Sequence, residues 1–338
     1  MKNWYLLIIL LLAIALLGAV IAVANLPPAV PAFGTLPPES EDTSRTEPSA
    51  SSDPTEEITE PTEPEPTWMT FPEDRKLTAK QYFVYDCAEE RFTVLSGSAN
   101  DRIYPASITK LFTAYVALQY LDEDAKITAG DALELIVPGS SVAEIKKGDV
   151  LTVRKLIEAM LLPSGNDAAY ILAAEVGRIL DGKPNEGAWF AIERFMREVN
   201  QQAQALGMTG THFVNPDGIH SGDHYMTPED LVLMARLSLQ EPVVVEYATT
   251  AHDTVTLSGG EEKAWKNTNS LVNEESPYYC PFCVGLKTGQ TPAAGSCLLS
   301  AFQMEDRTLI IGVFGCPDVD DRFEDTLQLF NAALDITN

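Results

Sequence analysis

Basic residues, cysteines and histidines are scarce in this sequence, and each shortage argues against particular classes of protein. Its 338 residues include 49 acidic against 23 basic side chains, for a formal net charge of −26. Such a surface repels phosphate backbones, which argues against nucleic-acid binding. Five cysteines are too few for a disulfide scaffold, and an odd count leaves at least one of them unpaired within the chain.

The positions of the histidines and the residues around the serines disfavour two classes of hydrolase, the metal-dependent hydrolases and the α/β-hydrolases. Only His220 and His224 have helical spacing, and the residues between them, 221–223, are typical of a loop. We therefore predict no metal site, and no motif implies a cofactor. The sequence also lacks a Gly-x-Ser-x-Gly elbow, which disfavours an α/β-hydrolase.

The first 25 residues form one hydrophobic segment. Lys2 is its only charge, and the run from Trp4 to Ala24 is apolar apart from Gly18. About 20 apolar residues span a bilayer as a helix, so we predict that residues 1–25 are a transmembrane anchor or a signal peptide. The sequence Ala22-Val23-Ala24 offers a cleavage site for the second alternative. Both alternatives export the rest of the chain.

A proline-rich, acidic stretch follows this segment. Ten prolines and ten acidic residues lie between Pro27 and Thr67, with few apolar side chains among them. Such a composition cannot bury enough apolar surface to fold. We therefore predict a disordered linker over residues 26–76, which could hold a folded domain away from a membrane.

The globular domain is predicted to span residues 77–338. Strand-like runs lie at its two ends, in residues 82–85, 92–95, 297–302 and 309–314. Helical spacing of apolar residues fills most of the middle, in residues 107–121, 153–162, 167–180, 188–206 and 228–239, and a last helix covers 322–333. We predict an α/β fold of the α+β type, with a sheet built from both chain ends and an inserted helical lobe.

A serine and a lysine three residues apart open the first predicted helix. Ser107 follows Pro105 closely, and Lys110 lies one helical turn further on, so the hydroxyl and the amine share one face. A partly buried amine has a lowered pKa and can accept the serine proton. The free N–H groups at a helix start can stabilise an oxyanion. Alone, the Ser-x-x-Lys motif is short enough to occur by chance.

Two further short motifs follow. Ser164-Gly165-Asn166 lies in a turn between two predicted helices, 57 residues after Ser107. Lys287-Thr288-Gly289 comes 123 residues later, where we expect a strand to end in a turn. Each also has an ordinary structural explanation, since serine and asparagine often cap helices. In this order, however, the three motifs are the set found in penicillin-binding proteins and related β-lactamases.

The residues around these motifs are similar to one family in particular. The chain resembles the serine D-alanyl-D-alanine carboxypeptidases over about residues 77–336, most clearly in residues 105–110, 162–169, 211–218 and 285–289. The resemblance implies a β-lactamase-like fold with a five-stranded antiparallel sheet and a helical lobe. It also implies removal of the terminal D-alanine from peptidoglycan stem peptides, with β-lactam antibiotics as covalent inhibitors.

The resemblance implies three catalytic side chains. Ser107 would attack the carbonyl between two terminal D-alanines, Lys110 would be its general base, and Ser164 would relay a proton to the leaving amine. The backbone N–H groups of Ser107 and Gln290 would form the oxyanion hole.

The resemblance also implies the residues that bind substrate. Asn166 would hydrogen-bond the substrate backbone, and Lys287 would supply positive potential. Thr288 and Arg322 would hold the terminal carboxylate.

Several alternatives stay open at this point. The same fold could act as a D,D-endopeptidase on cross-links or as a β-lactamase, or it could bind the cell wall without catalysis. Many members of the family continue into a β-rich domain and a C-terminal membrane helix, for which no residues follow Asn338. We therefore expect the N-terminal segment to attach the protein to the outer face of the bacterial cell membrane, unless cleavage secretes it. A local disulfide between Cys280 and Cys283 is expected in an exported protein.

Overall fold

The computed structural model describes residues 75–335. The predictions for residues 1–25, and for nearly all of the linker over 26–76, lie outside this described part. Between residues 75 and 335, no helix combines the length and the apolar character needed to cross a membrane.

One antiparallel sheet of five strands is built from both ends of the domain, as predicted. Its strands are β1 (Gln81–Asp86), β2 (Arg91–Leu95), β7 (Cys283–Thr291), β8 (Gly295–Gln303) and β9 (Thr308–Cys316). They lie in the order β2-β1-β9-β8-β7, and every neighbouring pair is antiparallel. Strands β8 and β9 are central and buried on both faces, which explains their continuous apolar sequence. Strand β7 is an edge strand, so its outer side is open to the helical lobe.

The helical lobe lies between β2 and β7 in the sequence. A 3₁₀ turn (Ala106–Ile108) leads into α1 (Thr109–Leu118), and the lobe continues with α2 (Val153–Leu161), α3 (Asn166–Leu180), α4 (Ala188–Ala205) and α5 (Pro228–Leu239). These helices confirm the predicted ones to within a few residues. The predicted last helix is also present, as α7 (Asp321–Asp335).

One α-helix and two hairpins of the lobe were not predicted from the sequence. They are the helix α6 (Pro242–Thr249) and two short hairpins, β3 (Lys126–Thr128) with β4 (Val150–Thr152) and β5 (His252–Thr256) with β6 (Glu262–Lys266). The hairpin strands are only three to five residues long. Such short, half-exposed segments carry too few apolar positions to show a period.

Lys287-Thr288-Gly289 lies in a strand that ends in a turn, as predicted. Strand β7 continues through all three residues to Thr291, and the turn follows at residues 292–294. Lys287 and Thr288 are buried despite their polarity, and polar residues at such positions are expected where a strand faces a functional site.

Both faces of the sheet are covered. On one face, α7 packs against the sheet, where Phe302 and Phe330 stack with ring centroids 4.3 Å apart. On the other face, Leu299 and Ile310 of the sheet belong to one buried cluster with Phe112 of α1. The edge of the sheet at β7 therefore meets the start of α1, which is where two of the sequence motifs lie.

The expected disulfide between Cys280 and Cys283 is not formed. The five cysteines are all free thiols, four of them buried. The Cys283 thiol donates a hydrogen bond to the Gly285 carbonyl at 3.3 Å. Burial raises the pKa of Cys280 to about 11 and that of Cys283 to about 12, so these thiols are weak nucleophiles in the folded protein.

Candidate active site

Ser107 and Lys110 meet at the start of α1. Ser107 lies in the 3₁₀ turn and Lys110 in the first turn of the α-helix, so the three-residue separation places both side chains on one side. The Lys110 amine donates a hydrogen bond of 2.7 Å to the Ser107 hydroxyl. Ser107 lines an open cleft, whereas Lys110 lies entirely behind it. The pair therefore combines an accessible hydroxyl with a buried amine.

The surroundings of Lys110 favour its uncharged form. Burial lowers the pKa of Lys110 to about 8, although the nearby carboxylates of Asp217 and Asp167 oppose part of this shift. The amine also donates to the Asp217 carbonyl oxygen at 3.0 Å and approaches the Ser164 hydroxyl at 3.5 Å. Three oxygen atoms thus orient the amine, and an amine with this pKa can act as a base near neutral pH.

Ser164 is held in an unusual backbone conformation. Its φ angle is +62°, in the left-handed region that a residue with a side chain seldom adopts. The segment is tied to residues 141–145: the Asn166 N–H donates to the Ser141 carbonyl at 2.8 Å, and the Asp167 carboxylate accepts from Ala143 and Ile145 N–H groups at 2.9 and 3.0 Å. These contacts fix the Ser164 hydroxyl toward the Lys110 amine.

Asn166 is buried at the first residue of α3. Its side-chain oxygen has no hydrogen-bond partner among the described residues. A buried amide oxygen without a partner is energetically unfavourable, so this atom is available to accept a hydrogen bond from a ligand N–H group.

Strand β7 passes directly beside the serine. Gly289 packs against Pro105 and Ser107 with no space for a side chain. Lys287, two residues earlier in β7, is buried. Its amine donates to the Thr288 carbonyl at 3.2 Å and to the Thr268 hydroxyl at 3.4 Å. Burial lowers the pKa of Lys287 well below its usual value, and the positive charges of Lys110 and Arg322 lower it further.

Arg322 and Thr288 both line the cleft that contains Ser107. The Thr288 hydroxyl is hydrogen-bonded to that of Thr268 at 2.6 Å. Arg322, the second residue of α7, is only 6% exposed, and its Nε atom has no partner among the described residues. Burial lowers the pKa of Arg322 to about 10. A guanidinium with an unused donor at the cleft surface is suited to bind an anion.

The predicted site residues converge on one cleft of about 540 Å³. Five of them line it: Ser107, Ser164, Thr288, Gln290 and Arg322. The other three, Lys110, Asn166 and Lys287, are buried within the same constellation, next to the lining residues.

Sequence reasoning missed two participants in this constellation. Asp217 acts through its backbone carbonyl, which has no signature in a side-chain motif. Thr268 lies in an irregular segment after β6, and no sequence motif includes it. Its role follows only from its contact with Thr288.

The buried histidine His224 has a structural contact rather than metal-binding neighbours. Its Nε2 atom lies 2.8 Å from the Thr109 hydroxyl, and burial lowers its pKa to about 3. Over the described part of the chain, no group of three His, Cys, Asp or Glu side chains is arranged to hold a metal ion.

A serine activated by a buried lysine, in a cleft between a five-stranded sheet and a helical lobe, defines an acyl-transfer enzyme of the β-lactamase-like fold. Within this class the chain belongs to the D-alanyl-D-alanine carboxypeptidase family, whose sequence profile matches residues 68–318.

Two curated relatives illustrate the range of the family. A D-alanyl-D-alanine carboxypeptidase of Streptomyces sp. strain K15 is 33% identical over 248 residues, which cover 71% of this chain and 81% of the relative. A D-alanyl-D-alanine endopeptidase of Haemophilus influenzae is 31% identical over 202 residues, covering 58% of this chain and 62% of the relative.

Solved structures show the same fold. The Streptomyces K15 DD-transpeptidase superposes with a TM-score of 0.69 at 28% identity, over 77% of this chain and 98% of that one. Penicillin-binding protein D2 of Listeria monocytogenes, solved with cefotaxime bound, gives a TM-score of 0.62 at 27% identity, over 77% and 99% of the two chains. These matches confirm the β-lactamase-like fold expected from the motifs.

Proposed function

We propose that this protein hydrolyses the bond between the two terminal D-alanines of peptidoglycan stem peptides, through an acyl-enzyme on Ser107. One observation carries the proposal. A fully buried amine, that of Lys110, donates a hydrogen bond of 2.7 Å to a serine hydroxyl that lines an open cleft. Family membership supports the choice of substrate.

In the first half of the reaction, the Ser107 oxygen attacks the scissile carbonyl while Lys110 takes the hydroxyl proton. The negative charge that develops on the carbonyl oxygen is stabilised by the backbone N–H groups of Ser107 and Gln290. Ser164, whose hydroxyl lies 3.5 Å from the Lys110 amine, passes the proton to the departing nitrogen. The C–N bond breaks, free D-alanine leaves, and the rest of the peptide stays as an ester of Ser107.

In the second half, a water molecule replaces the departed D-alanine. Lys110 again accepts a proton, and the resulting hydroxide attacks the ester carbonyl. The same N–H groups stabilise the second tetrahedral intermediate. When the ester bond breaks, Ser107 regains its proton and the shortened peptide leaves. One base therefore serves both halves of the reaction.

Recognition of a substrate that ends in a carboxylate requires a local cation, even on a protein with a net charge of −26. Arg322 and Thr288 supply donors in the cleft, and Lys287 adds positive charge behind them when it is protonated. The unpartnered Nε atom of Arg322 supports this assignment. Asn166, with its unpartnered side-chain oxygen, would accept a hydrogen bond from the substrate backbone.

The decisive experiment for the nucleophile uses labelled penicillin. We expect the label on one peptide, which contains Ser107, and we expect Ser107→Ala to abolish labelling while the circular dichroism spectrum stays unchanged. Gly222→Ala, which introduces a methyl group into open space, serves as the control that keeps labelling. Labelling of Ser164 would overturn the assignment, and rapid release of hydrolysed penicillin would identify a β-lactamase.

A second candidate is D,D-endopeptidase activity on cross-linked peptides, which the Haemophilus influenzae relative favours. Mass spectrometry of the products from a monomeric pentapeptide and from a cross-linked dimer distinguishes the two. Release of D-alanine from the pentapeptide, with the dimer left intact, supports the carboxypeptidase. Cleavage of the dimer alone supports the endopeptidase, and no turnover of either would indicate a wall-binding protein.

For localisation, we propose that residues 1–25 keep the domain on the outer face of the cell membrane. The apolar run from Trp4 to Ala24 supports this proposal. Membrane fractionation followed by N-terminal sequencing tests it. A mature N-terminus at Asn25 would show cleavage after Ala22-Val23-Ala24 and a secreted enzyme.

A further inference from the structure

A second concavity, larger than the candidate active site, lies on the helical lobe. Its volume is about 770 Å³, and one face of α4 forms its long wall. The side chains on this face recur at every fourth position: Trp189, Glu193, Arg197 and Gln201. At a rise of 1.5 Å per residue, they form a row of about 18 Å. The concavity is therefore an elongated groove, called here the α4 groove.

An exposed tryptophan lies at one end of the α4 groove. Trp189 keeps 53% of its surface exposed, although its ring packs edge-on against Phe190 with centroids 5.0 Å apart. Phe190 is itself 57% exposed. Two large aromatic side chains exposed side by side are unusual on a protein surface and mark an interaction site.

Three polar side chains on the α4 wall of the groove have unused hydrogen-bonding groups. Glu193, Arg197 and Gln201 are exposed, and none of their side chains makes a hydrogen bond or ion pair with another residue between 75 and 335. Glu193 and Arg197 are separated by four residues, the spacing that favours an ion pair on a helix. They remain apart in the structure, so a carboxylate, a guanidinium and an amide all face solvent along one wall.

This combination selects among ligand classes. A phosphate-bearing ligand is disfavoured, because the charge of Arg197 is balanced by that of Glu193 beside it. An extended peptide would need a free strand edge, which a helix does not provide. A peptide helix would need a continuous apolar groove, whereas the apolar lining side chains here, among them Leu135, Ile192 and Met196, lie among the exposed polar side chains of α4. An aromatic ring beside a row of donors and acceptors fits a ligand that has both an apolar face and many hydroxyl groups. A saccharide has this chemistry.

The α4 groove shares a chain segment with the candidate active site. Its opposite wall includes Val214 and Pro216. The next residue, Asp217, accepts the hydrogen bond from the Lys110 amine, and the Pro216 carbonyl is itself anchored by the Thr113 hydroxyl at 2.7 Å. A ligand in the groove would therefore lie against the segment that supports the catalytic lysine.

We propose that the α4 groove binds the glycan strand of peptidoglycan, while a stem peptide of that polymer enters the candidate active site. The proposal rests on the proposed function, because it assigns a second part of the same substrate to a second site. It predicts that Trp189 and Gln201 contribute to the use of polymeric substrate and contribute nothing to the use of a short peptide.

The test compares two substrates for the full chain and its variants. One substrate is a soluble pentapeptide that ends in D-alanyl-D-alanine, and the other is un-cross-linked peptidoglycan carrying the same peptide. We expect Trp189→Ala to raise KM for the polymer about tenfold, the usual scale for losing an aromatic anchor, with kcat unchanged. Gln201→Ala should act in the same direction. Ile179→Ala, which removes an exposed apolar side chain outside the groove, is the matched control.

Direct binding provides a readout that does not depend on catalysis. Peptide-free glycan strands of alternating N-acetylglucosamine and N-acetylmuramic acid should change the fluorescence of the Ser107→Ala protein, and the additional Trp189→Ala change should remove this response. If the wild-type protein hydrolyses neither substrate, the proposed function is contradicted, and any glycan binding is then a separate result.

Three outcomes would overturn the glycan site. The first is an equal loss on pentapeptide and polymer in Trp189→Ala, which would mean that the groove serves the peptide or the stability of the site. The second is unchanged KM on the polymer in both groove variants. The third is a dimer in sedimentation experiments that Trp189→Ala dissociates, which would identify a second copy of this chain as the occupant.

Discussion

Gly289 and Ser107 touch through their backbones: a Cβ atom on Gly289 would lie 3.1 Å from the Ser107 nitrogen and 2.7 Å from the Pro105 carbonyl oxygen. Both distances are shorter than those at which Cβ atoms normally approach backbone atoms. The contact joins the edge of the sheet to the helical lobe at the nucleophile. The absence of a side chain at residue 289 therefore sets the width of the active-site cleft.

We predict that Gly289→Ala slows acylation by penicillin about 10²-fold, because the added methyl group must push β7 away from Ser107, and misplacement by about 1 Å can lower rates on this scale. The measurement is the second-order rate of labelling. Gly222→Ala is the matched control, since its methyl group meets no atom within 4 Å. Equal rates for the two variants would mean that β7 adapts without disturbing the site.

The pH dependence of acylation should report on Lys110. Its pKa is lowered to about 8 by burial, and only the uncharged amine can accept the Ser107 proton. The acylation rate should therefore rise with pH, reach half its maximum near pH 8 and level off at higher pH. Stopped-flow or quenched labelling between pH 5 and 10 measures the profile. A midpoint near 10.5, the value of a solvated lysine, would show that the amine is not buried in solution.

Lys110 should also lower the stability of the folded protein. Its pKa is about 8 when folded and 10.5 in the reference state, so the unfolded chain binds more protons between these values. The sign of the linkage means that the free energy of unfolding rises with pH over that interval. At pH 7, Lys110→Met should increase this free energy by about 1–3 kcal/mol.

Urea unfolding of both proteins at several pH values checks this expectation. The difference between wild type and Lys110→Met should be largest below pH 8 and should narrow toward pH 10.5. A difference that does not change with pH would show that packing, rather than the buried charge, separates the two proteins.

Arg322 should matter only for substrates with a free terminal carboxylate. Hydrogen bonds to charged groups contribute about 1.5–3 kcal/mol each, so Arg322→Ala should lower kcat/KM roughly ten- to a few-hundred-fold on a D-alanyl-D-alanine end. On the same peptide with an amidated end, the substitution should have little effect. The two enzymes and two substrates form a double-mutant cycle. Equal losses on both substrates would assign Arg322 a structural role and leave the carboxylate to Lys287 and Thr288.

Much of the fold could be predicted from the sequence because its elements have strong local patterns. The apolar run of residues 309–314 marks a strand buried on both faces, and the apolar spacing of residues 167–180 marks an amphipathic helix. The short hairpins and α6 were missed, since segments of three to eight residues carry too little pattern. The prediction of a disulfide between Cys280 and Cys283 was wrong, because the spacing of two cysteines in the chain does not determine the orientation of their thiols.

The reactive groups, the serine and lysine spacing, the order of the three motifs and the family can all be read from the chain's residues. The environment of these groups depends on how the chain folds. The tertiary structure buries the Lys110 amine, which lowers its pKa, and it brings the Asp217 carbonyl within 3.0 Å of that amine from a segment 107 residues away. It also keeps Lys287 inside a strand and turns Arg322 toward the cleft. Desolvation and backbone contacts between distant segments depend on the folded chain as a whole, so no local pattern of residues can specify them.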